Sequence, residues 1–189
     1  MPQGRGSKEA GMFSFASVQG TVSIRSQAKV FLEAFTRRIQ SGLLRAASAR
    51  RNRYAITRQA ADSLGFRAVD GWTAYNVGLN EVELTAGPQG SVHYRVRYPR
   101  WAGFVIAGGA VLFGLLAVTF LFLDMATYIA ANRFSQVPGL TLDQNVAVAW
   151  GIALFFGFVW PWVLIALHKP PLRRLMEQII SEVDAAGMA

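Results

Sequence analysis

The chain has 189 residues, of which 52% are hydrophobic and 16% charged, with a formal net charge of +8. That charge belongs to the first hundred residues, which hold 15 Lys and Arg against 6 Asp and Glu, so a basic region precedes a nearly neutral, apolar one. There is no cysteine, which excludes disulfides, thiolate nucleophiles and Cys-ligated zinc or iron–sulfur centres.

Residues 1–11 are rich in glycine and polar groups and read as a flexible tail, without the apolar core and cleavage site of a secretory leader. A small basic α+β domain is expected over 12–99. It opens with Phe13 and Phe15 alternating about Ser14, followed by a short strand over 21–24. From Ser26 the period changes. Ala28, Phe31, Leu32, Phe35, Ile39 and Leu43 recur at helical steps and predict a helix from Gln27 to Leu44, with Ser26 as its N-cap. Gly42 weakens or ends its last turn. Arg37 and Arg38 lie on the polar side of that helix, and Arg45, Arg50, Arg51, Arg53 and Arg58 continue the basic run. Together with Arg95 and Arg97 they form a candidate surface for an anion or a partner. A strand is expected over 53–57 and a short helix from Gln59 to Leu64 closed by Gly65, while the residues up to 76 show no clear period.

The sharpest pattern in this domain is an antiparallel β-hairpin over 77–98. Val82 and Leu84 share one face of its first strand, and Val92, Tyr94, Val96 and Tyr98 share one face of its second. Gly87, Pro88, Gln89 and Gly90 supply turn residues. His93, Arg95 and Arg97 then point away from the apolar face, and Pro99 ends the ladder because it has no N–H to donate.

A two-helix transmembrane hairpin is predicted over 100–168. Residues 101–123 and 146–167 carry no charge, and 23 residues at 1.5 Å each make about 35 Å, enough for a hydrocarbon core of about 30 Å. Arg95, Arg97 and Arg100 before the first span and Lys169, Arg173 and Arg174 after the second outnumber Arg133 in the connecting loop 124–145, which predicts cytoplasmic N and C termini. Tyr98, Trp101, Tyr128, Trp160 and Trp162 are expected at the lipid–water boundaries. Gly103, Ala107, Ala110, Gly114 and Ala117 form a small-residue stripe on the first span; Ala149, Ala153 and Gly157 form one on the second, and the two stripes are expected to pack together. Pro161 should bend the second span. Phe113, Phe120, Phe122, Trp150, Phe155, Phe156 and Phe158 face acyl chains in this reading, with a pigment or quinone pocket in a larger assembly as the alternative. The first helix is expected to run on to about Asn132, and Thr141 with Gln144 reads as a capping box for the second.

After Lys169, Leu172, Leu175, Met176, Ile179, Ile180 and Val183 make the apolar face of a separate amphipathic helix starting at Pro171. His93 and His168 have no carboxylate at ligand spacing, no serine sits in a nucleophile context, and the spans hold no ionisable group. The expectation is therefore no enzyme, cofactor, metal or transport pathway. The function expected is a non-catalytic accessory or scaffolding subunit of a bacterial inner-membrane complex, in contact with membrane lipid and with a membrane-protein partner or a second copy. The alternative is a membrane-anchored module whose arginines hold anionic lipid, ahead of nucleic acid.

Overall fold

The computed structural model describes residues 14–44, 53–132 and 135–188, so the expected tail and Arg45, Arg50 and Arg51 lie outside the described residues. The chain divides into two compact units, one of residues 1–102 with 167–189 and one of residues 103–166.

The first unit is built on a five-stranded antiparallel sheet in the order β1-β5-β4-β3-β2, with β1 Ser17–Ser23, β2 Tyr54–Gln59, β3 Ser63–Ala68, β4 Glu81–Gly87 and β5 Ser91–Arg97. The last four strands form a meander. Since β1 and β2 are opposite edges, the link between them must cross the sheet, and helix α1, Ala28–Ser41, makes that crossing. It buries Phe31, Leu32, Phe35 and Ile39, with the Phe35 ring 6.0 Å from that of Phe66 on β3. Full burial of each such side chain stabilises the fold by about 1.5–3 kcal/mol. The hairpin has the expected faces: Val82 pairs with Val96, Leu84 with Tyr94 and Ala86 with Val92, all on the covered side. Gln89 and Gly90 take positive φ in its turn.

Where a helix was expected over 59–64, β2 and β3 instead form a hairpin. Leu64, Phe66 and Ala68 alternate onto the covered face, and the pull of that core decides a stretch whose own period was ambiguous. The residues after it form helix α2, Gly71–Val77, capped by Asp70, which accepts from the Thr73 amide at 2.7 Å.

The remaining helices are α3 Pro99–Phe122, α4 Met125–Ala131, α5 Leu142–Leu154 and α6 Trp160–Gly187, with a π turn at Phe155–Val159 between the last two. Among the described residues, two helical stretches, Pro99–Phe122 and Leu142–Gly187, are long and apolar enough to cross a membrane. The first helix does not run on to Asn132. It stops at Phe122, and Asp124, at φ 30°, caps a separate α4 through the Thr127 amide. The capping box of Thr141 and Gln144 opens α5 as expected.

The amphipathic C-terminal element is not separate either. Pro170 and Pro171 sit inside α6. Their φ suits a helix, and the two carbonyls that lose donors, on Ala166 and Leu167, belong to exposed residues, so neither is stranded in a core. The far half of α6 buries Leu172, Met176, Ile179, Ile180 and Val183 in the first unit. Its Glu177 accepts from the Tyr94 hydroxyl at 3.0 Å, so this half covers the β1–β5 side of the sheet while α1 covers β2 and β3. Burial, together with Glu177, pushes the Tyr94 phenol up to about 12.

Asp184, 7% exposed, fastens the end of α6. Its carboxylate accepts from the amides of Arg25 and Ser26 at 2.9 and 3.0 Å and from the Ser26 hydroxyl at 2.6 Å. Ser26 is therefore not the cap of α1: Gln27 occupies that position, and the serine hydroxyl is drawn to the stronger, charged acceptor. Burial opposes the Asp184 charge, but the three hydrogen bonds and Arg25 outweigh it and hold the carboxyl below its ordinary pKa. Its contribution to stability is thus complete above the unfolded-chain value of about 3.9 and disappears as pH falls through the lower folded value. Asp184→Ala is expected to destabilise the fold by about 1–3 kcal/mol at neutral pH and to flatten the acid limb of the stability curve, as read by thermal unfolding from pH 7 downward.

Within residues 103–166 the two small-residue stripes do not meet. Ala149 is half-buried and Ala153 and Gly157 are buried, but Gly103, Ala107, Ala110 and Gly114 are exposed and Ala117 is only half-buried. The helix that carries the outward stripe turns a different side inward, one that includes Phe113 and Gly109: a Cβ added to Gly157 would meet Phe113, and one added to Gly109 would meet Gly157 and Pro161. At Gly157 the space is filled by the Phe113 ring, and at Gly109 the absence of a side chain lets the backbones come close, so both dispersion on a large ring and close backbone approach hold the pair. A π turn lies just before Pro161, and the Trp160 amide donates there to the Phe155 carbonyl five residues back. The wider turn makes room for the buried proline ring beside the Gly157 carbonyl. Gly157→Val is expected to lower thermal stability in detergent by about 1–3 kcal/mol, whereas Gly114→Val, with nothing within 4 Å of its added carbon, should leave it nearly unchanged.

Candidate functional site

Among the described residues, α1 and the far half of α6 cover one face of the sheet, and the other presents mainly polar side chains. Strand register assigns its members. One row across the sheet runs Ser17, Arg97, Glu81, Arg67, Ala55, and the next runs Gln19, Arg95, Glu83, Gly65, Arg58. A third brings Thr21, His93, Thr85 and Ser63 side by side, with the Thr21 hydroxyl 2.7 Å from His93 Nδ1. Arginines therefore stand opposite glutamates on neighbouring strands, and the Arg97–Glu81 pair closes to 4.0 Å with both side chains partly exposed. Such pairs contribute a few tenths of a kcal/mol each and chiefly set the charge pattern. A shallow depression of about 620 Å³ lies on this face, lined by Gln19, Thr21, Glu83, Thr85, His93 and Arg95 among others.

The predicted arginine surface is divided by this architecture. Arg95 and Arg97 lie on the open face, and Arg58 joins that face at its β2 edge. Arg37 and Arg38 lie on α1, on the opposite side of the sheet, where Arg38 reaches Glu182 of α6 at 3.6 Å. Arg53 is exposed just before β2, with its backbone amide bonded to Thr73 of α2. A sequence run does not become one patch when a helix and a strand carry it to different layers.

The second feature is the junction where α3 leaves the sheet. Pro99 follows β5 by one residue, and the first-turn amides of Arg100 and Trp101 donate to Asn80 Oδ1 at 2.8 and 3.2 Å. Asn80 is 3% exposed, and its Nδ2 donates to the Ala74 carbonyl of α2 at 2.7 Å. One side chain thus caps α3 and ties it to α2. His168 of α6 completes the junction by stacking on Trp101 with centroids 4.0 Å apart and planes 13° from parallel, while meeting Tyr98 edge-on at 5.4 Å. Gly78, with φ of 79°, ends α2 beneath the imidazole; a side chain there would strike Nε2. Burial lowers the His168 pKa, which favours the neutral ring that stacks.

The expected boundary aromatics have unlike environments. Tyr98 is wholly buried in the first unit, a correction to its expected place at a lipid boundary: as the last inward residue of the β5 alternation it follows the core, not the helix after it. Trp101 and Trp160 are half-buried, and Tyr128 and Trp162 are exposed. Asn80, His168 and the exposed pair Trp72 and Tyr75 carried no recognisable sequence signal, since a remote cap has no fixed spacing from the helix it serves. Among the described residues no group of three or more His, Asp and Glu is placed to hold a metal ion. No protein-family model, curated protein or solved structure matches the chain.

Asn80→Ala removes the cap of α3 and the donor to Ala74 together, and should destabilise by about 1–2 kcal/mol or more. Asn80→Asp keeps the acceptor but turns an oxygen toward the Ala74 carbonyl, so it should recover only part of that loss when the two variants are compared by thermal unfolding.

Proposed function

We propose that this chain is a membrane-anchored scaffold, a non-catalytic accessory subunit that holds its α+β unit beside a bilayer and offers the open face of the sheet to a protein partner. The observation that carries the reading is the uncovered apolar surface of α3, where Val111, Leu115, Leu121 and Phe122 are 62–86% exposed. In water each would forgo on the order of 2 kcal/mol of burial; in a lipid tail region they are already in their preferred solvent. Chain path supports one side for both termini, because the chain leaves the first unit at Ala102 and re-enters it at Leu167. The basic flanks of the helices support the cytoplasmic side.

The chemistry of the open face favours protein over a polyanion. Arginine and glutamate alternate across it, so a uniformly negative ligand would meet Glu81 and Glu83 wherever it met Arg95 and Arg97. The alternative, anionic lipid or nucleic acid on the arginines, is supported less well, because Arg37 and Arg38 lie on the other side of the sheet and Arg38 is paired.

The cysteine-free sequence makes both parts directly testable. A cysteine placed at Leu140 should react with a membrane-impermeant maleimide in intact cells, and one at Thr85 only after the membrane is opened. Reaction of both from outside would reject the topology. A photo-crosslinking residue at Thr85 should capture a partner in native membranes, and one at Arg37 should not; equal capture, or none at either, counts against the open face as the docking surface.

A further inference from the structure

We infer that α2 is a third membrane contact, a short helix whose exposed side lies in the headgroup region of the same bilayer that α3 enters. This rests on the reading of α3 as a membrane span. Val69, Trp72 and Tyr75 are 56%, 61% and 42% exposed, an apolar and aromatic cluster on a segment of only seven residues, while the rest of the same segment is firmly held. Asp70 caps α2, Thr73 is buried and bonded to the Arg53 amide, and Ala74 is buried under the Asn80 side chain. The exposed side is therefore presented by a fixed helix and is not the product of a loose loop.

What covers that side follows from what α2 is attached to. Asn80 bonds the Ala74 carbonyl with one end of its amide and the first two amides of α3 with the other. His168 sits on Gly78 at the end of α2 and stacks on Trp101 in the first turn of α3. The Arg100 guanidinium donates to the carbonyl of Ala68, next to Val69, at 3.3 Å. Helix α2 is thus level with the first turn of α3, the depth at which a span passes from headgroups into hydrocarbon. Tryptophan and tyrosine are the side chains that prefer this depth, because each joins an apolar ring to a polar group that stays wet. Charge agrees with the placement: Arg53, whose carbonyl accepts from the Val69 amide, and Arg100 flank the cluster, with the Asp70 cap opposing them. Such a collar suits the phosphates of a lipid surface. Trp72 and Tyr75 thus take the anchoring role that buried Tyr98 does not.

The test uses the full chain in phosphatidylcholine–phosphatidylglycerol vesicles, with an environment-sensitive fluorophore on single cysteines and quencher lipids labelled near the headgroup or deep in the acyl chain. The expected result is deep quenching at Leu115→Cys, shallow quenching with a blue-shifted emission at Val69→Cys, and an unquenched, water-like emission at Thr85→Cys. Adding Trp72→Ser and Tyr75→Ser to Val69→Cys should remove the shallow quenching; both side chains are exposed, and unchanged circular dichroism would show the fold intact. A water-like signal at Val69→Cys beside deep quenching at Leu115→Cys overturns the contact and leaves the span standing. Absence of quenching at Leu115→Cys removes the span and the contact together. Quenching at Val69→Cys that survives the double substitution also overturns the inference, since the aromatic pair would then not be what holds the helix there.

Discussion

A helix begins with backbone amides that its own turns cannot satisfy, and α3 has no serine, threonine or aspartate at its start to meet them. The Asn80 side chain, from the connection before β4, accepts two of these amides and donates to the carbonyl of Ala74. Because that side chain is buried, its three hydrogen bonds are shielded from competing water, and losing the side chain would leave buried backbone groups unpaired. This one amide joins α2 to the start of α3, in whose first turn lies the Trp101 that His168 stacks on. It also lets a long apolar helix start with only Tyr98 between it and the preceding β-strand.

The same economy governs the sheet. Two helices from distant parts of the chain, α1 and the far half of α6, share one face, and Asp184 ties the second to the turn that leads into the first. The other face is left to polar side chains, so the cross-strand register alone decides its chemistry. Glu81 and Glu83 stand opposite Arg97 and Arg95, which turns a strongly basic sequence into a face of alternating charge. Net charge described the composition of the unit, but it did not describe its surface.

In residues 103–166, the helices fit by a large ring against glycine at one point and by close backbone approach at another. Phe113 fills the space at Gly157, and the buried Gly109 of the first helix lies close to the Gly157 carbonyl and Pro161, while Gly103, Ala107, Ala110 and Gly114 point outward. Proline is accommodated twice by different means. At Pro161 the backbone widens into a π turn, and at Pro170 and Pro171 the helix continues because the carbonyls left without donors belong to exposed residues.

Local period was enough to read α1, the β4–β5 hairpin, the two apolar helical stretches and the Thr141 capping box, since each depends on residues a few positions apart. It failed where distant residues compete. Residues 59–68 follow the core and not their own weak pattern; Ser26 bonds Asp184, 158 positions away, and not its own helix; Tyr98 belongs to the strand's interior and not to a boundary. The apolar length of α3 was therefore determined by sequence alone, because hydrophobicity and helical rise are properties of a continuous segment. The cap that starts α3, the charges that face one another across the sheet and the aromatic pair left exposed on α2 were decided only by the tertiary structure, because each is a relation between residues that the chain brings together only when it folds.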